Sequence, residues 1–104
     1  MKTKDIKTID VITKTWFDKV NGNTYFAQRI TINRGRKNET TFVNQFQYGY
    51  SSYDHFALQC VKETLNLKTD LNRNYELFSS KKIRFYNEVI RNCKKRDLTH
   101  IAEY

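Results

Sequence analysis

The 104-residue chain has no proline, three glycines (Gly22, Gly35 and Gly49) and two cysteines. It contains no linker composition, internal repeat or low-complexity stretch, so a single domain over residues 1–104 is expected. Each glycine falls where a turn or bend is useful. Cys60 and Cys93 lie far apart in the sequence and without CxxC spacing. The start at Met1-Lys2-Thr3-Lys4-Asp5 is polar, and no apolar run reaches the length of a leader or a membrane span. The expectation is therefore a cytoplasmic protein with reduced, semi-buried thiols. A disulfide between the two is the weaker alternative.

Catalytic equipment is equally sparse. The histidines are His55 and His100. His55 follows Asp54 on a predicted helix, where consecutive side chains diverge by about 100° and do not pair. His100 lies in a tail expected to be mobile. There is no phosphate-cradling glycine loop, no HExxH and no cysteine–histidine zinc spacing, and the carboxylates are scattered singly. The expectation is a protein that is not an enzyme and uses no cofactor or metal.

What the chain does have is positive charge and aromatic rings. Nineteen Lys and Arg against eleven Asp and Glu give a formal charge of +8, with an isoelectric point near 9.6. Such an imbalance suits phosphate backbones, anionic membrane surfaces or acidic protein faces. A lysine- and asparagine-rich composition also arises from a genome poor in G and C. Aromatics make up 14% of the residues, enough large rings to build a small core and to argue against disorder.

The hydrophobic pattern predicts an α+β fold. Thr8–Phe17 alternates, with Ile9, Val11, Thr13, Thr15 and Phe17 on one face, and is rich in β-branched residues. Asn21-Gly22 supplies a hairpin turn. Thr24–Asn33 is a second strand, Arg34–Asn38 a basic turn, and Glu39–Tyr50 a third strand with Phe42, Phe46, Tyr48 and Tyr50 on one face. These make a three-stranded antiparallel meander. From Tyr53 to about Asn66 the period becomes helical, with Ser51, Ser52 and Asp54 resembling a capping box. Tyr53, Phe56, Ala57, Cys60, Val61, Thr64 and Leu65 form the apolar stripe, opposite Gln59, Lys62 and Glu63, and the helix is expected to pack on the sheet. Lys68–Asn74 reads as a polar turn. Residues from about Arg84 to Lys94 are expected to form a fourth strand, with a second helix as the rival.

Three basic clusters stand out: Arg34, Arg36 and Lys37 in the second hairpin; Lys81, Lys82 and Arg84 before the last element; and Arg91, Lys94, Lys95 and Arg96 after it. With Arg29 on the second strand, these are the candidate nucleic-acid or partner-binding residues, forming one anion-facing edge. Charges at turns also keep sheet ends soluble. Trp16, Tyr25, Tyr48, Tyr50 and Tyr53 include candidates for stacking on bases, although packing is the favoured role for rings in so small a domain.

Trp16-Phe17, Gly22-Asn23-Thr24-Tyr25, Tyr48-Gly49-Tyr50 and Lys94-Lys95-Arg96-Asp97-Leu98 together resemble small uncharacterised proteins of bacteriophage and mobile-element genomes. Phe26 departs from that pattern, which has histidine there, and the group carries no assigned functional residues. The resemblance implies an anti-defence protein, most specifically an anti-CRISPR inhibitor. It would bind a host CRISPR or other defence ribonucleoprotein, through protein or guide RNA, in the cytoplasm of an infected bacterium. Positive charge disfavours nucleic-acid mimicry and favours contact with RNA, DNA or an acidic patch. The alternative is a stand-alone DNA- or RNA-binding module, in which a sheet like that of AP2 or integrase arm-type domains would present Arg29, Arg34, Arg36 and Lys37.

Overall fold

A computed structural model describes residues 5–49, 53–67 and 83–103. Strands β1 (Thr8–Asp18), β2 (Asn23–Ile32) and β3 (Thr40–Tyr48) are followed by helix α1 (Tyr53–Leu65) and strand β4 (Arg84–Ile90). A short helix α2 (Lys95–Thr99) and a 3-10 turn (Ile101–Glu103) close the chain. The fold is α+β, as the sequence predicts, and the next described element after α1 is a fourth strand rather than a second helix. Tyr50, the Ser51–Ser52 cap, the Lys68–Asn74 turn and the cluster residues Lys81 and Lys82 lie outside the described residues.

The described strands form a four-stranded sheet in the order β3-β2-β1-β4. β1 and β2 pair antiparallel from Ile9↔Ile32 to Asp18↔Asn23, while β4 lies parallel to β1 from Thr8↔Arg84 to Lys14↔Ile90. Short turns suffice for the meander, whereas a parallel partner needs a longer crossover, on which α1 lies. β4 ends at Ile90 rather than Lys94, because Asn92 takes a left-handed conformation (φ 59°) and turns the chain into α2. Asn33 and Asn66 do the same after β2 and α1. Among non-glycine residues asparagine tolerates this region best, which suits a chain with so few glycines.

Alternation along the strands divides the sheet into two faces. On one, Ile9, Val11, Ile30 and Ile32 pack with Ile6 and Ile83 against Ala57, Leu58 and Val61 of α1. Phe26 joins this layer, with Tyr53 and Phe56 rings 5.1 Å from it. Gly49 passes so close that an added Cβ would lie 2.9 Å from the Phe26 ring, so only glycine fits there. The buried stripe of α1 is rotated from the predicted one: Leu58 and Lys62 point inward and Thr64 outward. Leu58 drives this rotation, since Lys62 follows it by one turn and is carried in with it. Lys62 is 4% exposed, and among the described residues its ammonium has no hydrogen-bond partner.

The opposite face holds a second, smaller core of Ala27, Leu98 and Ile101, edged by Trp16, Tyr25, Val43 and Cys93. The C-terminal segment, expected to be a mobile tail, is thus folded back on the sheet by two buried aliphatic side chains. A register shift between β2 and β3 also changes one assignment. Gln28 pairs with Asn44 but Phe26 with Gln47, so β3 carries one extra residue. The bulge turns Tyr48 onto the face opposite Phe42, where it meets Tyr25 instead of α1.

Candidate functional site

The strand register distributes the basic residues between the two ends of the sheet. The start of β1, the β2–β3 turn and the start of β4 share one end; the β1–β2 turn and the ends of β3 and β4 share the other. At about 3.3 Å per residue the ends lie about 33 Å apart along β1. Arg34, Arg36, Lys37 and Arg84 are exposed at the first end, joined by Lys7. Arg91, Lys94, Lys95 and Arg96 are exposed at the second, joined by Lys19. Arg29 belongs to neither; it is half-buried mid-sheet, between Ile12 and Val43 in the register. Apart from Arg29, the predicted residues that are described therefore form two separate groups rather than one edge.

At the second end, cations and rings come together. Trp16, Tyr25 and Tyr48 stand in register across β1, β2 and β3 on the α2 face. Trp16 stacks on Tyr25 at 5.6 Å, and Tyr48 meets Tyr25 edge-on at 5.8 Å. α2 begins beside them, with the Lys94 backbone N–H donating to the Asp97 carboxylate (2.8 Å). This start places the Lys95 ammonium 5.9 Å from the centre of the Trp16 ring, at the outer limit of cation–π attraction.

Between the β1–β2 turn and the β4–α2 connection lies an open groove of about 640 Å³, lined by Trp16, Phe17, Asp18, Lys19, Val20, Asn92, Cys93 and Lys94. Phe17 is 51% exposed, Val20 92% and Tyr48, in the neighbouring ring row, 61%. Asp18 is the groove's one carboxylate, and the turn occupies it. It accepts hydrogen bonds from Asn21 Nδ2 (2.8 Å), the Val20 N–H (3.0 Å) and the Asn21 N–H (3.4 Å). The Asn21 side chain above all holds its pKa below the usual 3.8. Burial pushes the Cys93 thiol up, and its Sγ donates to the Ile90 carbonyl (3.4 Å). The raised pKa of Cys93 disfavours its thiolate, and the rest of the lining includes rings and ammonium groups.

Sequence reasoning missed Phe17, Lys19 and Val20 here, and Lys7 at the other end. A signal for the first was present: Trp16 and Phe17 are adjacent in an alternating strand and must point to opposite faces. One short helix does not cover that end of the sheet on both sides.

Among the described residues no group of three or more His, Cys, Asp and Glu side chains could hold a metal ion. No described helix is long and apolar enough to cross a membrane. No family model, curated protein sequence or solved structure matches the chain.

Proposed function

We propose that the protein is a non-catalytic binding domain that grips exposed single-stranded nucleic acid within a host nucleoprotein. In this reading it acts as a stoichiometric inhibitor, and its most specific form is an anti-CRISPR protein contacting guide RNA in the loaded effector. The observation that carries the reading is the groove at the Trp16 end, where exposed rings stand beside lysines. Single-strand binders combine these two features: rings offer faces to successive bases, and ammonium groups follow the phosphates. A phage origin is carried only by the sparse sequence resemblance.

The alternative, a sheet laid into a duplex major groove, fits the charges less well. The sheet face away from α1 and beyond α2 carries Asp10 and Glu88 beside Arg29 and Arg84. Such alternation gives no net attraction for a phosphate-lined groove.

Trp16 is the only tryptophan, so its emission reports on the groove directly. Titration with a single strand of about ten nucleotides is expected to quench it. Phe17→Ala and Tyr48→Ala are each expected to weaken binding by about 1–3 kcal/mol, the range for one lost base stack. The protein should also co-elute at a fixed ratio with an RNA-loaded CRISPR effector and block its target binding. Absence of both quenching and co-elution would refute the proposal.

A further inference from the structure

The end of the sheet opposite the aromatic groove is built from different chemistry. Asn33 is fully buried there. Its Oδ1 accepts from the backbone N–H groups of Lys7 (2.7 Å) and Thr8 (3.3 Å), and its Nδ2 donates to the Asp5 carbonyl (2.8 Å). Its own N–H donates to the Thr8 carbonyl (2.9 Å), so the segment Asp5–Thr8 is fastened to the β2–β3 turn. The turn is closed by the Arg36 N–H to the Asn33 carbonyl (3.0 Å) and the Glu39 N–H to the Arg36 carbonyl (3.1 Å). The Arg84 N–H donates to the Lys7 carbonyl (3.1 Å). One buried asparagine and its neighbours thereby fix the backbones that carry Lys7, Arg36 and Arg84.

These residues border a shallow depression of about 480 Å³ lined by Asp5, Lys7, Arg36, Lys37 and Asn38. No ring lines it. Arg34 and Arg84 lie at the same end of the sheet, so five described cations share this end with the carboxylates of Asp5 and Glu39. Flexible cations without rings neutralise phosphates and carry no base information. Arginine adds a planar fork that pairs with two phosphate oxygens at once.

We infer that this hairpin end is a second nucleic-acid contact, directed at the phosphate backbone of a duplex, so that the protein recognises a junction between duplex and single strand. The inference rests on the single-strand reading of the aromatic end. The ends are too far apart along the sheet for one or two nucleotides to satisfy both, but a tailed duplex reaches both at once. The second contact is then intramolecular and multiplies affinity without any new interaction.

The test compares three RNAs by anisotropy in one buffer: a single strand of about four nucleotides, too short to reach both ends, a blunt duplex of about twelve base pairs, and that duplex carrying the strand as a tail. The tailed duplex is expected to bind at least about 10-fold tighter than either part. Arg34→Ala/Arg36→Ala/Lys37→Ala, all exposed positions, should abolish this gain. The same variant should leave single-strand affinity and Trp16 quenching within about twofold, because the ends lie beyond screening distance of one another. Equal binding of the tail alone and the tailed duplex would overturn the junction and leave the single-strand reading intact. A gain that survives in the triple variant would also overturn it. Failure of the single strand to bind at all would instead remove the reading on which the inference stands.

Discussion

Within the core, a chain of side-chain hydrogen bonds crosses all four described strands. Gln47 donates to Asn44, and Asn44 Nδ2 donates to Gln28 Oε1 (2.8 Å). Gln28 Nε2 donates to Thr13 Oγ1 (3.1 Å) and to the Tyr53 carbonyl (2.8 Å). Thr13 Oγ1 then donates to Asn87 Oδ1 (2.8 Å), and Asn87 Nδ2 to the Asp54 carboxylate (2.7 Å). Every donor points the same way, toward a carboxylate in the first turn of α1, so successive dipoles reinforce one another. Gln28 is fully buried at the middle of the chain. Gln28→Leu keeps much of the volume but leaves Thr13, Asn44 and the Tyr53 carbonyl short of partners. It is expected to cost about 2–4 kcal/mol, since each buried polar group left unpaired costs about 1–3. Urea unfolding measures this; a loss below about 0.5 kcal/mol, the size of an ordinary surface change, would show that the chain contributes little.

At the scale of elements, the sequence was legible where period and turn chemistry agree. The alternation of Ile9, Val11, Thr13 and Thr15, the Asn21-Gly22 turn and the helical spacing from Tyr53 to Leu65 each follow from local residue choice. The misses are tertiary. The bulge that moves Tyr48 to the other face depends on how β3 meets β2, and no residue within β3 announces it. The parallel placement of β4 beside β1 depends on the crossover, and the division of the basic groups between two ends follows from that topology. The register places Arg34 and Arg84 at the same end of the sheet and Arg91 and Lys94 at the other, a separation that spacing along the chain does not contain.

α2 illustrates the same limit. Five residues are too few to hold a helix by propensity, so Leu98 and Ile101 must anchor it on Ala27. Leu98→Ala is expected to cost about 2–5 kcal/mol. It should also loosen the Lys95–Trp16 contact, seen as a red shift of Trp16 emission in the folded protein. Lost stability with unchanged emission would mean that α2 stays docked without its anchor.

For the whole molecule, ionic strength should act with opposite signs on stability and on binding. The chain carries a net charge of +8, and ten of its cations are described residues at the two ends, so repulsion among these is concentrated between neighbours within each end. At 0.01 M salt the screening length is about 30 Å and the ends also repel one another; at 0.15 M it is about 8 Å and only neighbours do. Adding salt over this range should therefore raise the Tm of the free protein, because screening relieves repulsion present in the compact state. Binding to a single strand should weaken over the same range, with log affinity falling by about 0.7 per log unit of salt for each phosphate neutralised. The stabilisation that a bound strand adds to Tm then shrinks as salt rises, by linkage. Thermal melts of free and strand-bound protein across a salt series should converge from opposite directions. Parallel melting curves would mean that the strand is held without charge neutralisation. A Tm of the free protein that falls with salt would mean that attractive pairs, such as those available to Asp5 and Asp97, outweigh the repulsion within each end.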